Sequence, residues 1–289
     1  MIKKSILVVV TAFVLMSMNA DMRAYQYYNT KGKKLDFKQV VNNVKDADII
    51  FFGELHNNAI SHWMELEMVK ALYADKGNKL ILGAEMYESD QQLVLDEYMN
   101  GGIAYKYFKE QARLWPNDAT DYHPILAYAK KNHIPFVATN IPRRYAAMVN
   151  NGDFAALDSI SPAAKALIAP LPIDYNAELP CYKNMLAMMG GHIPSKMNNI
   201  PKAQAIKDAT MAYFILKNWK KGETFFHFNG AYHSANHESI IWYLKKANPD
   251  LKIVTISTIE QANVENVDKK ELQEADYTLV VNEDITKTY

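Results

Sequence analysis

The stretch Ala47-Asp48-Ile49-Ile50-Phe51-Phe52-Gly53-Glu54-Leu55-His56 decides how the rest of the chain is read. Four apolar residues in a row run into a glycine, with a carboxylate and an imidazole directly after. An uninterrupted apolar run of this length fits a strand buried on both faces. Polar side chains at the tip of such a strand lie where open α/β sheets collect their ligands. Five more runs repeat the pattern: 79–84, 134–139, 224–228, 251–256 and 277–281. Helical stretches of ten or more residues separate most of them, at 59–75, 89–99, 105–114, 122–131, 201–219 and 235–247. The expectation is an α/β fold, with a mostly parallel central sheet of about six strands covered by helices on both faces. A closed eight-stranded barrel is two strands short. Ser89 with Gln92 three residues on predicts a capping box for the helix at 89–99.

Composition narrows the function classes. The 289 residues carry 32 basic and 32 acidic side chains, so nothing steers the chain toward nucleic acid. Residues 1–20 run from Lys3 and Lys4 through an apolar stretch, Ile6–Met16, to Ser17-Met18-Asn19-Ala20. That order predicts a secretory signal peptide cleaved near Ala20, and the run is too short for a membrane span. The expected localisation is exported, periplasmic or extracellular, with no integral membrane segment after cleavage. A single domain is expected over 21–289. Residues 22–39 read as a lead-in helix or loop. Residues 151–200, rich in proline and methionine, read as an irregular helical insertion or lid. Cys181 is the only cysteine, so no internal disulfide forms.

The strand exits carry the candidate chemistry. Glu54 and His56 follow the first strand and Glu85 the second. Asn140 and Arg143 follow the third; Asn229, Gly230, His233 and His237 follow the fourth. Gly53-Glu54-Leu55-His56 and Gly230-Ala231-Tyr232-His233 share a GxxH spelling after an apolar strand. Gly53 and Gly230 permit tight turns or close backbone approach. His56, Glu85 and His233 offer the nitrogen and oxygen donors of a divalent metal site. In a hydrolase, Glu54 would act as general base and Arg143 would steady an oxyanion. Structural roles compete: Glu54 as a helix cap, and the two histidines as core residues bonded to backbone carbonyls. His62 ranks below these. The HExxH zinc-protease pattern is absent. Abundant tyrosine and methionine raise a second chemistry, an apolar haem pocket with candidates Tyr87, Tyr175, Tyr232 and His237. The lack of CxxCH excludes covalent haem attachment.

Several blocks together resemble the ChaN-like haem-binding uptake proteins. They are residues 49–58, 83–92 and 95–98, Tyr122-His123-Pro124-Ile125-Leu126, residues 138–143, 204–212, and Asn229-Gly230-Ala231-Tyr232-His233. The resemblance spans roughly residues 45–257. It implies an exported or surface-attached α/β protein of bacterial haem and iron acquisition, which binds haem and pairs as a homodimer around stacked haems. Members are commonly lipoproteins, whereas this sequence has no lipobox cysteine. The family is similar to a wider two-GxxH group of metal-dependent proteases and erythromycin esterases. Its polar core matches His56, Glu85, Arg143 and His233 here, with Glu54 beside His56. Three readings follow: a haem binder, a metal-dependent peptidase or esterase, or a binding module without catalysis.

Overall fold

The computed structural model describes residues 23–188 and 199–289. The expected signal peptide and the stretch 189–198 of the insertion lie outside the described residues. Among the described residues, eight strands form one open sheet: β1 (Tyr25–Asn29), β2 (Lys34–Leu35), β3 (Ile49–Glu54), β4 (Leu80–Glu88), β5 (Phe136–Asn140), β6 (Thr224–Gly230), β7 (Ile253–Gln261) and β8 (Tyr277–Asn282). Their order is β2-β1-β8-β7-β3-β6-β4-β5. The six strands read from the sequence are all present and all parallel. The sheet is open, not a barrel.

The lead-in at 22–39 is corrected. It supplies β1 and β2, which extend the β8 side of the sheet antiparallel. Successive tyrosines explain why: Tyr27 packs into the core on one face, and Tyr28 packs on the other with Val264, Leu272 and Val280. Side chains alternating across a strand require this division.

The same alternation sorts the core. Ile50 and Phe52 of β3 face α1 (Phe37–Val44) and α2 (Ala59–Lys76), together with α3 (Gln92–Met99), α4 (Tyr105–Gln111) and α5 (His123–Lys131). Ile49 and Phe51 face the other side. There they meet Met211, Ala212 and Ile215 of one helix and Ile240, Ile241 and Leu244 of another. Between α5 and those two helices come α6 (Arg143–Gly152), α7 (Pro162–Lys165) and α8 (Pro180–Met188). The two helices themselves are α9 (Ile200–Asn218) and α10 (Ile240–Ala247). The chain leaves β3 toward one face and its neighbour β6 toward the other. A crevice opens where outgoing connections diverge in this way, at the carboxyl ends of the two strands.

The predicted capping box at Ser89 does not form. Ser89 Oγ donates instead to the Leu167 carbonyl at 2.6 Å. Gln92 turns to the sheet, donating to the Phe136 carbonyl at 3.0 Å and accepting from the Ala138 N–H at 2.7 Å. Its amide thus occupies backbone groups of the edge strand β5, as a further strand would, and protects that edge. Among the described residues, no helix is long and apolar enough to cross a membrane.

Candidate functional site

The crevice between β3 and β6 gathers the strand-exit residues into two linked polar clusters, one on each face of the sheet. Glu54 continues the face of Ile50 and Phe52 and points toward α2. It is wholly buried. Its Oε1 accepts from His56 Nδ1 at 2.7 Å and from the Tyr122 hydroxyl at 2.7 Å. Two side chains of α2 complete this cluster. His62 Nδ1 lies 3.0 Å from Glu65 Oε2 and 3.8 Å from Glu54 Oε2. His62 Nε2 donates to the His56 carbonyl at 3.2 Å, with Asp121 Oδ2 at 3.5 Å. Asp121 in turn accepts from Asn117 Nδ2 and Thr288 Oγ1, each at 2.6 Å.

The second cluster sits on the α9 face. Glu85 Oε2 accepts from the Gly230 N–H at 2.9 Å, and Glu85 Oε1 lies 3.2 Å from His233 Nε2. His233 Nδ1 is bonded to Asp208 of α9, and Asp208 Oδ2 accepts from the Tyr182 hydroxyl at 2.8 Å. The described part of the insertion therefore packs against α9 and reaches beneath His233 through Tyr182.

His56 links the clusters. Its Nδ1 is held by Glu54, while its Nε2 lies over Gly230, 2.7 Å from where a β-carbon would stand. Glu85 Oε2 is 3.7 Å from the same point. Gly230 thus leaves the room in which His56, Glu85 and His233 meet. One third of the His56 side chain is exposed, with its ring centre 4.7 Å from that of Trp115.

Charge follows from these contacts. Burial alone would push Glu85 up, but the charges of His233 and His56 and the Gly230 N–H outweigh it and hold it well below the carboxylate range. Burial likewise disfavours charge on His233, yet Glu85 and Asp208 raise it to about 10. One imidazolium cannot fully balance two carboxylates, and Asp208, wholly buried, is pushed upward. In the first cluster burial opposes the charge on His62. Glu65, Glu54 and Asp121 prevail and raise it to about 10. His56 is raised as well, because its bond to Glu54 overcomes its partial burial. Glu54 thus favours the charged form of both histidines that touch it.

Several sequence expectations change here. Glu54 has no exposed surface and lies behind His56, so it orients His56 and does not meet a substrate as general base. Arg143 is exposed at the start of α6. Asn140 donates to the Glu85 carbonyl at 2.9 Å, and buried Asn229 donates to the Gly230 carbonyl at 3.0 Å. Both brace the turn. Of the haem-pocket candidates, only Tyr175 and Tyr232 share a cluster. Tyr87 is buried in the core with its hydroxyl on Asp118 Oδ1 at 3.0 Å. The Tyr175 ring lies tilted beside that of Tyr182, centres 5.6 Å apart, in a cluster that also holds Tyr232. His237 faces away, 3.2 Å from Asp276 Oδ2. Sequence reasoning overlooked Asp208, Glu65 and Asp121. His62 and Glu65 share the buried stripe of α2 with Met68, Val69 and Leu72, a spacing that could have exposed them.

Gly230→Ala tests the meeting point. The new methyl presses only on the mobile end of His56, so His56 should swing out and leave Glu54. Losing that hydrogen bond should lower stability by about 1 kcal/mol, with Tyr122 still donating to Glu54. The His56 pKa, followed by NMR, should fall back toward the ordinary value. An unchanged His56 titration would contradict this geometry.

No curated protein sequence matches the chain. Among solved structures, ChaN of Campylobacter jejuni with cofacially bound haem superposes at a TM-score of 0.68. It is 16% identical, over 89% of this chain and 97% of that one. A Bacillus cereus protein matches at 0.49, with 14% identity over 85% and 91% of the two chains. An erythromycin esterase mutant in its open conformation matches at 0.45, with 12% identity over 81% and 77%. The family model described as haem-binding uptake, Tiki superfamily, ChaN, matches residues 40–244, and the chain belongs to that family.

Proposed function

We propose that this protein binds haem in bacterial haem and iron acquisition, as an exported protein that works as a homodimer around its ligand. The family match over residues 40–244 carries this reading. The geometry of the crevice is compatible with it. Haem offers an aromatic slab and two carboxylates. His56, half-buried and with its charged form favoured by Glu54, sits beside Trp115 at the mouth of the crevice. That pair suits a carboxylate carried on an aromatic plane.

The test is titration of the purified protein with hemin. A Soret shift should saturate at micromolar hemin with defined stoichiometry, accompanied by a doubling of mass in solution. His56→Gln should weaken binding about tenfold or more, since a charged hydrogen bond contributes roughly 1.5–3 kcal/mol. A spectrum that stays that of free hemin would overturn the proposal.

A further inference from the structure

We propose that Glu54, His62 and Glu65 form a buried site for one divalent transition-metal cation, separate from the crevice triad of His56, Glu85 and His233. One donor atom from each of the three lies within 4.8 Å of the others. Two metal bonds of about 2.1 Å at a tetrahedral angle set their donors roughly 3.4 Å apart. His62 Nδ1 stands 3.0 Å from Glu65 Oε2 and 3.8 Å from Glu54 Oε2, which brackets that separation.

Two further observations point to a ligand. Glu54 Oε2 and Glu65 Oε1 are buried carboxylate oxygens with no hydrogen-bond partner. Two acid side chains buried face to face are costly unless a proton or a cation lies between them, and a cation here would take the place of the proton. The surroundings are also those of a metal-binding histidine. His62 Nε2 donates to the His56 carbonyl, so Nδ1 is the nitrogen facing the carboxylates, and cation binding there releases its proton to solvent. Glu54 Oε1 is fixed by Tyr122 and His56, leaving Oε2 for the cation. Outer contacts of this kind orient the ligands of known sites.

The donor set selects the cation class. One imidazole and two carboxylates, with no thiolate, suit zinc, manganese or ferrous iron. Calcium takes six to eight oxygens, more than this cluster offers. The site does not depend on haem binding. It is tested on protein without a Soret band, so the two readings fail separately.

The experiment is titration of metal-stripped protein with cobalt(II), followed by visible absorption, with metal analysis of protein reloaded with zinc or manganese. Ligand-field bands should saturate at one cobalt per chain. Zinc at a hundredfold excess over its dissociation constant should raise Tm by roughly 5 °C or more. Glu65→Gln and His62→Gln should lose the bands, whereas Glu85→Gln should keep them. Wild-type protein that shows neither bands nor a Tm shift would overturn the site and leave a proton shared between the carboxylates. Bands lost in Glu85→Gln but kept in Glu65→Gln would overturn it too, moving the cation to the crevice.

Discussion

His233→Ala should lower stability by about 3–5 kcal/mol, the usual result of removing one member of a buried charged network. For a domain of this size that is a fall in Tm of roughly 6–20 °C. The cause is specific. His233 is the cation between Glu85 and Asp208, and its loss leaves both carboxylates buried without it. The effect should depend on pH in a defined sense. His233 is raised from 6.5 to about 10, so its contribution is complete below 6.5 and fades as pH rises toward 10. Glu85 is lowered from 4.5, so its contribution is complete above 4.5 and is lost as pH falls further. The gap between wild type and variant should therefore be widest between about pH 4.5 and 6.5 and should narrow in alkali. Thermal melts across pH read it directly. A gap that grows from pH 7 to 10 would contradict the assigned ion pairs.

Gly53→Ala should be the most damaging of the small changes near the crevice. A β-carbon there would stand 2.9 Å from the Ala231 α-carbon, 3.3 Å from its β-carbon and 3.4 Å from the Ile256 carbonyl oxygen. None of these is the end of a flexible side chain, so the backbone itself must shift. Overpacking of this kind costs about 1–3 kcal/mol. The turn that moves is the one carrying His233. The variant should therefore weaken the contact of His233 with Glu85 as well as stability, visible as a lowered His233 pKa by NMR. Gly230→Ala differs because it meets only a side-chain tip. Equal Tm losses for the two variants would show that the Gly53 contact is softer than the structure makes it.

Much of this arrangement was legible because the parallel strands are buried on both faces. Their apolar runs stand out, and a polar residue at the end of one is conspicuous. That is how Glu54, Glu85 and His233 were found. The acid supplied by α9 was hidden by the same burial. Asp208 lies on α9, whose buried positions include Ala205, Ile206, Ala209, Thr210, Met211 and Ala212 on several sides. No polar face marks such a helix, so a single acid in it does not register as an exception. His62 and Glu65 were readable from their place on the buried stripe of α2, but that place alone does not say what the pair faces. The two antiparallel strands β1 and β2 were missed for another reason. Tyrosine and glutamine give little hydropathy contrast, so the alternation in Tyr25–Asn29 is carried by ring packing alone.

The antiparallel join of β1 to β8 ties together residues from the two ends of the sequence, with Tyr25 opposite Val281 and Asn29 opposite Tyr277. Such a join cannot form until β8 has been made, so before that β1 can pair only with the short β2 beside it. Joining strands this far apart closes a very long loop, a slow kind of contact to make.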